Sequence, residues 1–95
     1  MEAGILRQVV AERRARWADA GISWQVLDGP STDKPASRLV LDAGAALGQL
    51  VVWVSGEAVM DWGTPDRGGT RQYVLSSRDD VWHCVDDLEA ALRVL

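Results

Sequence analysis

The residues best suited to chemistry sit together near the C-terminal end. His83, the only histidine, has Asp79 and Asp87 four residues away on either side, and Asp80 and Asp86 three away. On a helix these spacings bring an imidazole and carboxylates to one side, which is the minimum for a weak metal site or a poised base. A structural zinc site needs four well-placed ligands. One ring among solvated carboxylates is better read as a wet helix face, so no metal is expected. Cys84 is the only cysteine. It points about 100° away from His83 on a helix and shares no site with it. It reads as a small buried hydrophobe. Nucleophilic catalysis needs a base and an orienting group beside Ser or Cys, and no such trio is spaced here. PDRGGT, residues 65–70, has neither the spacing nor the lysine of a phosphate-binding loop and reads as a turn. Arg13, Arg14 and Arg16 form a basic cluster flanked by Glu12 and Asp19, which favours a solvated face over a nucleic-acid patch. The expectation is a protein without catalytic residues or cofactor.

The elements that carry these residues must fit in 95 residues, enough for one domain spanning 1–95. The 47% hydrophobic and 25% charged content is globular. The net charge of −4 disfavours nucleic acid and favours basic partners. A single cysteine cannot form an internal disulfide and suits a reducing compartment. No apolar run approaches the roughly 18 residues of a membrane span, and MEAGILRQVVAERRARW lacks the apolar stretch of a signal peptide. A cytoplasmic location is expected, with no membrane partner. The aromatic content is lopsided: five Trp, one Tyr and no Phe.

Residues 3–20 show helical spacing. Ile5, Leu6, Val9, Val10 and Trp17 fall near one side, and Arg7, Arg13, Arg14 and Arg16 are assigned to the wet side. Gly21 is a natural stop. Alternation and turn residues predict strands over 22–28, 38–43, 49–55, 57–62 and 71–76. The last segment, SSRDDVWHCVDDLEAALRVL, predicts a helix. Ser76 and Ser77 each have an Asp three residues on, in the pattern of a capping box. Val81, Val85, Leu88, Leu92 and Leu95 form its apolar stripe, with Leu88 and Leu92 expected to be buried. The order is α-β-β-β-β-β-α. Short links favour an antiparallel meander. The fold class is therefore α+β, a five-stranded, mostly antiparallel sheet with an N-terminal and a C-terminal helix packed on one face.

VVWVSGEAVMDWG, residues 51–63, is a hairpin with two apolar faces. A two-residue turn at either Ser55-Gly56 or Gly56-Glu57 puts Val51, Trp53, Ala58, Met60 and Trp62 on one face. Leu50, Val52, Val54 and Val59 then share the other with Glu57 and Asp61. A one-residue bulge would undo this parity. Two helices can cover one face of a five-stranded sheet and not both. Either the Trp face is core and the mixed face is wet, or Trp53, Met60 and Trp62 form a docking surface, since Trp and Met are enriched at interface centres. Residues 79–89 add Asp79, Asp80, Asp86, Asp87 and Glu89 with no Lys or Arg. Such an acidic ridge serves either solubility alone or a basic partner surface.

The segment LGQLVVWVSGEAVMDW, with its Trp53-Val54-Ser55-Gly56 turn, and the acidic helix DDVWHCVDDLEAALRVL together resemble TriTu-type immunity proteins of bacterial polymorphic toxin systems. The resemblance covers residues 47–95. It implies a non-enzymatic protein that binds a cognate toxin domain and blocks it, and it carries over no catalytic residue. Partner contacts are expected at Trp53, Met60, Trp62, Asp80, Asp86 and Asp87, on a toxin domain with a basic surface. A small acidic homodimeric chaperone or adaptor, paired through an open sheet face, is the alternative. An enzyme or metal-binding domain centred on His83 ranks last.

Overall fold

The computed structural model of the protein describes residues 4–29 and 35–93. Its first element, α1, spans Ile5–Asp19. It stops where Gly21 adopts the left-handed conformation, φ 74°, and the Ile22 N–H turns back to donate to the Trp17 carbonyl at 2.8 Å. The closing helix, α2, spans Arg78–Arg93. Ser77 Oγ accepts from the Asp80 N–H at 3.2 Å. The Asp80 carboxylate in turn accepts from the Ser76 N–H and hydroxyl at 2.8 and 2.9 Å. Ser77 and Asp80 thus cap the helix in a variant of the expected box, with Asp in the place of Glu and its carboxylate reaching Ser76, one residue before the cap. Residue 3 of the expected first helix and Leu95 of the apolar stripe lie outside the described residues.

Between the helices run β1 (Ser23–Asp28), β2 (Ala36–Asp42), β3 (Leu47–Trp53), β4 (Glu57–Gly63) and β5 (Gly68–Val74). They form one antiparallel sheet in the order β1-β2-β3-β4-β5. This is the α+β meander expected. The last strand starts at Gly68 rather than at 71. Gly68 and Gly69 read as loop by composition, yet they are strand, and β4 approaches both too closely for a side chain. A Cβ on Gly69 would lie 2.5 Å from the Trp62 ring, and one on Gly68 would lie 2.4 Å from the Trp62 carbonyl oxygen.

Both helices lie on one side of the sheet. Leu39, Leu41, Leu50, Val52, Ala58 and Met60 point up into them and are buried. Leu6, Val9, Val10 and Trp17 come down from α1, and Val81, Val85, Leu88 and Leu92 from α2. Cys84 is buried with them, and desolvation pushes its thiol up to about 12. The α2 helix fits closest over Gly48, where an added Cβ would lie 2.7 Å from Leu88 Cδ1. Gly48→Val is expected to destabilise by about 1–3 kcal/mol through overpacking, and Leu88→Ala by about 2–5 kcal/mol through a cavity. Because the two changes fill and empty the same space, the double variant should lose less than the two singles together in urea denaturation. Strict additivity would show that the contact does not form.

Candidate interaction surface

The hairpin between β3 and β4 decides which side chains face the helices. Val52 pairs with Ala58, Leu50 with Met60 and Gly48 with Trp62, while Val51 pairs with Val59 and Gln49 with Asp61. The connection is a three-residue loop, Val54-Ser55-Gly56. Gly56 has φ 100°, and its N–H donates to the Trp53 carbonyl at 2.9 Å. A Cβ here would come within 2.4 Å of the Leu75 carbonyl oxygen, so this position admits only glycine. The odd loop length reverses the parity expected from a two-residue turn. Trp53 and Trp62 lie on opposite faces, and Leu50 and Val52 join Met60 in the core.

The side of the sheet away from the helices carries Val40, Val51, Trp53 and Val59, all partly exposed, with Leu47 54% exposed at one end and Val74 86% exposed at the other. No described helix covers it. Its charged residues are Arg38 in β2, with Asp42, Glu57 and Asp61. Among the described strand residues this face thus carries three carboxylates and one guanidinium. A shallow depression lies between Val40, Leu47, Gln49 and Asp61, with Gly63 on its rim. Asp61 accepts from Gln49 Nε2 at 3.3 Å on its wall.

The expected contact residues are therefore dispersed. Trp53 is on the open face. Met60 is fully buried in the core. Trp62 is half-buried on the helix side, lying over Gly69, with the Arg71 guanidinium 5.8 Å from its ring. Each of the expected acidic contacts on α2 has a partner within the molecule. Asp80 caps the helix. Asp86 meets Arg13 Nη2 at 2.5 Å. Asp87 accepts from the Tyr73 hydroxyl at 3.0 Å and lies 3.7 Å from Arg71. His83 is exposed, with Nδ1 3.9 Å from Asp86, and no group of three or more His, Cys, Asp and Glu among the described residues could hold a metal ion.

The densest polar cluster is one that the sequence reading placed in water. Arg13 is 1% exposed and Glu89 4%. Arg13 Nη1 donates to Glu89 Oε1 at 3.0 Å, and Trp17 Nε1 donates to the same oxygen at 2.7 Å. Arg16 and Arg93 reach Glu89 Oε2 at 2.7 and 3.3 Å. The Arg13 guanidinium also lies 3.9 Å from the centre of the Trp82 ring and donates to the Trp82 carbonyl. The signal was the spacing itself. Arg13 stands three residues after Val10 and four before Trp17, inside the α1 apolar stripe, and Glu89 stands four after Val85 inside that of α2.

Two predictions follow from these contacts. Glu89→Ala leaves the buried Arg13 guanidinium with Asp86 as its one carboxylate and takes the acceptor from Trp17 Nε1, and should lower stability by about 1–3 kcal/mol, whereas Arg13→Met with Glu89→Leu should recover part of that loss in urea denaturation. Asp80 has its carboxyl held below the ordinary 3.8, first by the Ser76 N–H and then by the Ser76 hydroxyl. Its stabilisation is present above 3.8 and lost as pH falls through the lower folded value. Thermal melts of Asp80→Asn should therefore decline less between about pH 4 and pH 3 than those of the unchanged protein. Parallel curves would remove Asp80 from the acid response.

Compared with known proteins, the chain matches the family described as Immunity protein TriTu over residues 5–92, a span that includes nearly all of both helices and every strand. No curated protein and no solved structure matches it significantly. With the match running through almost the whole chain, the protein belongs to the TriTu family of immunity proteins, whose general role is toxin neutralisation.

Proposed function

We propose that this chain neutralises one cognate toxin domain by binding it, acts in the cytoplasm of the toxin-producing cell, and does no chemistry of its own. The observation that carries this reading is the side of the sheet left open opposite both helices, with Trp53, Val51, Val59 and Val40 on it. Such a face exceeds what the fold needs for its core, and an apolar patch with a polar surround is the usual mark of a protein contact. The chain's one thiol is not poised for chemistry. Cys84 is buried and its thiol is pushed up to about 12, far from a reactive thiolate. Its acidic surface would speed encounter with a basic toxin.

The test is co-expression with the toxin domain encoded beside the chain's gene. Cells making both should grow, and the two proteins should elute together as a stable complex. Toxicity undiminished by the chain, with no co-elution, would refute the reading. Trp53→Ala should weaken the complex by on the order of 2 kcal/mol while leaving the urea midpoint nearly unchanged. If it unfolds the protein instead, Trp53 serves the core.

A further inference from the structure

We propose that the depression beside Asp61 on the open face receives a lysine or arginine side chain of the bound toxin domain. This rests on the binding role proposed above and names the chemistry of the contact. The depression lies where the start of β3 meets the end of β4, with Gly63 on its rim. Val40 and Leu47 wall it with aliphatic carbon, and Asp61 and Gln49 supply its polar atoms. An apolar wall ending in a carboxylate matches a long basic side chain, whose methylene stem lies along hydrocarbon while its cationic head meets the acid. The half-buried setting of Asp61 raises the worth of that pair above that of a fully exposed one. An acidic or purely apolar protrusion would leave the Asp61 charge desolvated and unpaired.

Charge also selects the occupant. A second copy of the chain would bring Asp42 and Asp61 onto an identical face, with Arg38 the one cation among the described strand residues there. Like charges juxtaposed across an interface oppose association. A basic partner relieves that repulsion. The α2 acids do not compete for the role, since Asp80, Asp86 and Asp87 are engaged within the molecule.

The experiment measures binding of the purified toxin domain, inactivated in its own active site, to the unchanged chain and to four variants. Asp61→Lys and Leu47→Glu should each weaken binding tenfold or more, and Asp61→Asn by a smaller factor that shrinks with added salt. Asp79→Lys makes the same charge change on an exposed part of α2 and should stay within twofold. Urea midpoints of all four should remain close to the parent's, because Leu47, Asp61 and Asp79 lie outside the core. If the unchanged chain does not bind the domain, the binding role fails and this contact fails with it. If the unchanged chain binds and Asp61→Lys and Leu47→Glu bind equally well, the contact alone is wrong. Sedimentation of the chain by itself gives a separate outcome: a dimer that Leu47→Glu dissociates would put a second copy on the face and overturn the proposal.

Discussion

A buried ion pair between two helices organises this molecule. Arg13 and Glu89 are 76 residues apart in the chain and meet at 3.0 Å out of water. Neither charge is tolerable there alone. Their meeting requires α1 and α2 to lie side by side, and the apolar stripes around them then fall on the same face of the sheet. The surrounding contacts reinforce this one arrangement: Trp17, Arg16 and Arg93 saturate the Glu89 carboxylate, and Trp82 covers the Arg13 guanidinium. Helices committed to each other cannot divide between the two faces. The open face is a direct outcome of that pairing.

The same pairing changes what the acidic helix offers a partner. Its carboxylates look in sequence like a charged ridge. In the fold they close the helix N-terminus, hold Arg13 and anchor Tyr73 and Arg71. Their formal charge persists, but their hydrogen-bonding capacity is largely spent inside. The exposed side of the sheet, by contrast, mixes aliphatic side chains with carboxylates that project outward.

Much of the architecture was legible from periodicity and punctuation. Both helices, all five strands and the meander follow from apolar spacing, short links and the Ser77-Asp80 cap. Two features were not. The face assignment of Trp53 and Trp62 depended on whether two or three residues close one hairpin, and Val-Ser-Gly fits either until the backbone conformation of Gly56 is known. The helix seam was missed because arginine and glutamate read as surface residues when each helix is considered alone. Only when two opposite charges are noticed inside two apolar stripes does the burial of both make sense. The start of β5 was obscured for a related reason: Gly68 and Gly69 read as loop until the bulk of Trp62 beside them is known.

The alternation along β3 and β4 separates two kinds of information on the same strands. Leu50, Val52, Ala58 and Met60 hold the domain together, while their immediate neighbours Gln49, Val51, Val59 and Asp61 face outward. Substitutions can accumulate at every second position without disturbing the packing beneath. A lineage built on this sheet can exchange its outward residues one at a time and acquire a new binding preference while the folding code stays intact. The glycine in the connecting loop keeps the two sets in phase, since one residue more or fewer there would turn the core side chains of β4 outward and its outward side chains toward the helices.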